Sequence, residues 1–189
     1  MKDFRKFWRA PDGTWLEMRP MRNTDAPLVK QSLNQLSASS RRNRFFASIA
    51  EFSDDAVERL VVISPQREYL LVVVRHEAGL EVPIGGGRFV QDEQGSGCSF
   101  SLLIGDAWQG QRIGRKILKA LLREASRRGV RQMHGDVLSD NRPMLALARS
   151  LRFSIIDSDP REGTVQIVRD LPIGRRIGWR RWLRRLMSG

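Results

Sequence analysis

Apolar and polar residues alternate across residues 15–22, which predicts a first strand behind a polar N-terminal extension, residues 1–14, broken by Pro11-Asp12-Gly13. Asn23 or Thr24 can cap a helix running to Leu36, with Asp25 in its first turn and Pro27 where a missing N–H costs nothing. Residues 37–50 read as a short helix or loop, and Ser53 with Asp54 and Asp55 opens a further helix toward Val62. The texture then changes. Residues 69–75, 81–91 and 97–104 are β-rich runs parted by turn residues, an antiparallel meander. Over 114–128, Gly114, Ile117, Leu118, Leu121, Leu122 and Ala125 fall at i, i+3, i+4, i+7, i+8 and i+11, which predicts one buried stripe, while Arg115, Lys119 and Arg123 line another face. Gly129 stands where a C-terminal cap belongs. Residues 132–138 then read as a strand, 142–150 as a helix with Pro143 at its start, and 153–156 and 164–168 as closing strands. That order predicts an α/β fold around a mixed sheet.

The composition fits one packed domain rather than a disordered or collagen-like chain: 189 residues, 41% hydrophobic and 29% charged. Cys98 is the single cysteine, so neither an internal disulfide nor a cysteine-rich metal site can be assembled, and a cytoplasmic location without a metal is expected. No run approaches the roughly 18 apolar residues of a membrane span. The basic start has no apolar stretch behind it, so no secretory signal is expected either. The net charge is +12, and six of the cations, Arg175, Arg176, Arg180, Arg181, Arg184 and Arg185, lie in residues 173–189 with no acid among them, which leaves +6 for the rest. There Trp179, Trp182, Leu183, Leu186 and Met187 form an apolar stripe opposite arginines, a basic amphipathic helix. Its apolar face can dock on the domain itself, on a second copy, on an anionic membrane surface, where the protein would be peripheral, or on an acidic partner; nucleic acid is the least expected ligand.

The stretch that carries chemistry is Trp108-Gln109-Gly110-Gln111-Arg112-Ile113-Gly114-Arg115, where a strand runs into a turn with glycines and then into a basic helix start. Free N–H groups at a helix N-terminus make an anion site, and glycine lets the backbone approach a phosphate closely. Locally, the alternative is a loop whose glycines only turn the chain.

These residues resemble the GNAT superfamily of acyl-CoA-dependent N-acyltransferases, whose motif Gln/Arg-x-x-Gly-x-Gly/Ala opens the central helix: Gln109 and Gly114 match it, and Arg112 replaces the first glycine. Asn141-Arg142-Pro143-Met144-Leu145-Ala146-Leu147-Ala148-Arg149, with Leu16-Glu17-Met18-Arg19-Pro20, Asp25-Ala26-Pro27 and Arg44-Phe45-Phe46, is similar to the Pat-type protein-lysine acetyltransferases. The resemblance covers residues 16–171. It implies a GNAT domain over residues 15–172, with a mostly antiparallel sheet splayed at its centre and flanked by helices. Acetyl-CoA would lie in the splay, its pyrophosphate on Gln109, Gly110, Gln111, Arg112, Ile113, Gly114 and Arg115, its pantetheine arm along Leu103 and Ile104, with Asn141 nearby. The acceptor implied is a protein lysine, with small-molecule amines as the alternative. Transfer is direct, so Cys98 reads as a small core residue.

The departures concern proton transfer. Ala148 stands where the superfamily usually carries a tyrosine acid, as in the Pat branch, and Ser99 stands where that branch has a glutamate base. A serine is no base without a partner. His134 and Asp136 share one face of a strand, and histidine as a residue type suits proton transfer near neutrality, so these two are the replacement candidates; Glu81 and Glu68 are weaker ones. The plainer reading of His134 is a half-buried polar side chain with a backbone partner. Arg112 either strains a turn that needs glycine or adds a guanidinium contact to phosphate, and Arg152 replaces a second family glycine. A catalytically degenerate acyl-CoA-binding or membrane-associated regulatory module is therefore the alternative to an active transferase.

Overall fold

A computed structural model describes residues 4–156 and 163–172. The basic C-terminal helix expected over 173–189 lies outside the described residues. Eight strands form a single sheet in the order β1-β2-β3-β4-β5-β6-β8-β7: β1 (Lys6–Arg9), β2 (Trp15–Pro20), β3 (Glu68–Glu77), β4 (Leu80–Gln91), β5 (Gly97–Ile104), β6 (Gln132–Leu138), β7 (Ser154–Ile156) and β8 (Thr164–Asp170). Every neighbouring pair is antiparallel except β5–β6, which is parallel. Among the described residues, five helices flank the sheet: α1 (Ala26–Asn34), α2 (Ala38–Phe45), α3 (Asp54–Val61), α4 (Ile113–Arg127) and α5 (Arg142–Ser150). Among the described residues no helix is long and apolar enough to cross a membrane.

The stretch read as a polar extension supplies β1, which pairs with β2 from Lys6↔Met18 to Arg9↔Trp15. Two consecutive half-exposed aromatics, Phe7 and Trp8, gave no alternation to read there. The local signals elsewhere act as their chemistry demands. Ser53 Oγ accepts from Ala56 N, Ser37 Oγ from Ser40 N and Asn141 Oδ1 from Met144 N, so α3, α2 and α5 each begin on a side-chain cap. Gly129 follows α4 with φ +85°. The α4 stripe is buried as its spacing predicts, with Ile113 rather than Gly114 at its head; Ile117, Leu118, Leu121 and Ala125 are fully covered. Burying each large apolar side chain contributes about 1.5–3 kcal/mol.

Helix α4 covers one face of the sheet, over Leu71, Val73, Phe89, Cys98 and Met133, while α1 and α3 cover the other around Leu33, Phe52 and Val57. Alternation along a strand ordinarily leaves one face in water. In β2 both faces are buried: Leu16 and Met18 enter the α4 core, and Glu17 and Arg19 are enclosed as ions. Arg19 sends Nη1 and Nη2 to the two Asp25 oxygens at 2.8 Å and its Nη2 to Glu81 Oε2 at 2.5 Å. Glu17 accepts from Arg5 Nε at 2.5 Å and contacts His76 Nε2 at 3.1 Å. This network ties β1, β2, β3, β4 and the entrance of α1 together. Burial by itself would raise the Asp25 carboxyl, but the Arg19 and Arg22 donors outweigh it and hold it below the ordinary range.

Candidate active site

Strands β5 and β6 pair only from Gly97↔Gln132 to Ser99↔His134, and beyond that point β6 continues against β8 alone. The opening between them is a cleft of about 580 Å³, bounded by β5 from Ser99 to Ile104, the turn 108–115, Gly135 to Val137 of β6, Asn141 at the cap of α5, and Met144 and Leu147 of α5. Every residue expected to contact acetyl-CoA borders it apart from Gln111, which lines two neighbouring cavities.

The turn is a backbone device. Gly110 has φ +75° and Arg112, the residue before α4, has φ +61°; no side chain caps the helix, and its first intrahelical bond is Lys116 N to Arg112 O. The amides of Ile113, Gly114 and Arg115 therefore lack the intrahelical partner that later turns have, at the positive end of the helix dipole. The turn needs a left-handed residue at 112, and arginine adopts it with its side chain exposed. A non-glycine residue in that conformation costs about 1–2 kcal/mol of backbone strain. Arg152, at φ +59°, repeats the pattern.

Other motif side chains are fixed by the protein itself. Gln109 Nε2 donates to Ser40 Oγ at 3.0 Å and Ile104 O at 3.2 Å, binding the turn to α2 and β5. Arg115 Nη1 donates to Ser150 Oγ at 2.6 Å, and the Asn141 oxygen caps α5. Gly114 leaves room: a Cβ there would stand 3.2 Å from Leu102 Cδ2 and 3.4 Å from Leu147 Cδ2.

On the other side of β5 lies a second cavity of about 610 Å³, beneath α1, α2 and α3, with apolar walls from Leu33, Leu36, Val61, Leu70 and Val72 and with Arg44 and Arg88 in its lining. Arg44, Ser101, Leu103 and Trp108 border both cavities. This pocket is not legible in the sequence, because its walls come from segments far apart along the chain. The nearest signal was the Arg44-Phe45-Phe46 run.

Ser99 and His134 are register partners, and Asp136 follows on the same face at the cleft wall. Ser99 and Asp136 are exposed and His134 is half-buried; among the described residues none of the three hydrogen-bonds to another. Glu81 and Glu68 are engaged elsewhere, Glu81 with Arg19 and Glu68 with Arg88 at 2.5 Å. Asp106 accepts from Ser37 N, Ser37 Oγ and Ser40 Oγ, which overcome the upward push of burial and hold its carboxyl low. Cys98 is fully buried, and burial pushes its thiol up to about 12, as befits a core residue rather than a nucleophile. Glu17, His76 and Glu81 gather their ligand atoms within 4.8 Å, but Arg5 and Arg19 already neutralise them.

The family model for the acetyltransferase (GNAT) domain matches residues 16–154. The chain belongs to the GNAT acetyltransferase family. An acetyltransferase of Pseudomonas aeruginosa is 30% identical over 158 residues, 84% of each chain. Among solved structures, the GNAT domain of S. lividans PAT shares the fold with a TM-score of 0.78 at 23% identity, covering 88% of this chain and 97% of that one. The putative acetyltransferase yncA from Salmonella typhimurium, solved with its cofactor acetyl-CoA, matches with a TM-score of 0.67 at 20% identity over 86% of this chain and 96% of its own. A ribosomal-protein α-N-acetyltransferase in complex with coenzyme A matches at 0.69 and 17%, over 84% of this chain and 95% of that one. This chain is thus an acetyltransferase by family, with the cleft and the splayed sheet in place.

Proposed function

We propose that this acetyltransferase binds acetyl-CoA in the β5–β6 cleft and passes the acetyl group directly to a primary amine that enters from the pocket beneath α1–α3. The observation that carries the reading is the uncapped start of α4, with left-handed Gly110 and Arg112, set at the mouth of the parallel β5–β6 pair. Amides 113–115 would take the pyrophosphate, with 110–112 shaping the approach and Arg112 adding positive charge. Leu103 and Ile104 would lie along the pantetheine arm, and Asn141 would position the α5 wall.

Acetyl-CoA supplies an activated thioester, so the protein's tasks are to present the amine as a free base and to return a proton to the leaving sulfur. Asp136, at the cleft wall, and His134, two residues away on the same face of β6, are the candidate bases, with Ser99 the register partner of His134. Resemblance to the Pat-type enzymes favours a protein lysine as acceptor, and small-molecule amines are the alternative. The test is a thiol-release assay with acetyl-CoA across amines and lysine peptides, beside calorimetric titration of acetyl-CoA. Binding with transfer to at least one amine is expected; no binding at the cleft, or binding without transfer to any acceptor, contradicts the reading.

A further inference from the structure

The pocket beneath α1–α3 contains a cation that the protein does not answer. Among the described residues Arg44 makes no ion pair or hydrogen bond; its guanidinium stacks on Phe45 at 4.8 Å, and the charge that acts on it is the like charge of Arg88. The side chain is half-buried, and burial together with the like charge of Arg88 pushes the group down to about 10. Arg88 is itself half answered: its Nη2 meets Glu68 Oε2, while its Nε is buried without a partner. Both guanidinium groups line a cavity with apolar walls at Leu33, Leu36, Val61, Leu70 and Val72; its lining also holds Arg75, Asp12 and Asp106, and among the described residues neither of these acids pairs with Arg44. A half-buried, unpaired arginine is unfavourable unless an anion comes to it.

Arg44 also borders the acetyl-CoA cleft, sharing that boundary with Ser101. An anion held there lies close to where an amine would meet the thioester. We propose that the acceptor carries an anionic group near its reactive nitrogen, attached to an apolar body, and that Arg44 is the residue that binds this anion. The proposal rests on the transfer reading above and deepens it. The shared chemistry is a carboxylate beside an amine; its source is either the acceptor's own α-carboxylate or an acidic residue next to a lysine.

Paired acceptors test it with the full-length protein: leucine against leucinamide, and short peptides whose lysine is flanked by Glu or by Gln. Wild type should favour the anionic member of at least one pair by about tenfold or more in kcat/KM, the scale of one charge-assisted contact. Which pair shows the preference identifies the source. Arg44→Gln should bring that ratio near one, and Arg44→Lys should restore part of it. A product arm works without turnover: N-acetylleucine should bind the coenzyme A complex more tightly than N-acetylleucinamide if the α-carboxylate is the source, and the N-acetyllysine peptide with Glu more tightly than that with Gln if a neighbouring acid is. Equal treatment of both members in every pair and product, or a preference that persists in Arg44→Gln, overturns the proposal. Failure of transfer to every amine with a product preference intact would overturn the transfer reading instead and leave Arg44's role supported.

Discussion

The cleft between β5 and β6 and the pocket beneath α1–α3 meet along one strand but are made of different materials. The anion end of the cleft is backbone: one turn and the first amides of α4, all within residues 108–115, with the side chains of Gln109 and Arg115 tied back into the protein. The pocket is lined largely by side chains: apolar walls from α1, α3 and β3, and arginines from α2 and β4. A site built from amides survives replacement of its side chains as long as the φ angles and free space persist, and arginine at 112 keeps the left-handed φ. A site built from side chains has no such tolerance.

The sharpest way to break the cleft is to fill its space. Gly114→Asp places a branched anion against Leu102 and Leu147 at the helix start, and we expect acetyl-CoA affinity to fall by at least ~10²-fold in calorimetry through lost approach and like-charge repulsion. At the entrance of α1, Arg19→Met strands Asp25 and Glu81 and should cost about 3–5 kcal/mol in denaturant unfolding. The same network sets an acid limb. Because Asp25 is held below its unfolded value of roughly 3.9, its contribution is present above that pH and is lost as pH falls through the lower folded value. Asp25→Asn should therefore destabilise the protein at neutral pH and flatten the loss of stability below about pH 4.

Between the two regions, Asp136→Asn and His134→Ala separate the base candidates: the group that takes the proton should lower kcat by ~10²-fold with little change in acetyl-CoA affinity. Near wild-type rates in both would leave water as the acceptor of the proton. The smallest effect sharpens the backbone argument. Arg152→Gly should raise stability by about 1 kcal/mol by relieving a left-handed arginine, and Arg112→Gly should do the same while changing acetyl-CoA affinity by less than about threefold.

What could be read from the sequence followed the same division. The α4 stripe, the caps at Ser53 and Gly129, β5 and the 108–115 turn were legible because each is written within a few residues. Strand β1 was not, since Lys6–Arg9 is a strand only through its pairing with β2. Nor could the sequence tell that Glu17 and Arg19 are buried, because their partners Arg5, Asp25, His76 and Glu81 are brought in by tertiary contacts. The pocket beneath α1–α3 was invisible for that reason, and the register that sets Ser99 opposite His134 appears only once β5 and β6 are paired.

The most direct test of the central claim is a crystal structure with coenzyme A bound. The pyrophosphate is expected within hydrogen-bond distance, roughly 2.7–3.2 Å, of amides 113–115, with the thiol directed toward Ser101 and Arg44 at the boundary of the two cavities. Coenzyme A seated beneath α1–α3, or along the outer face of α4 with the β5–β6 cleft empty, would contradict that claim.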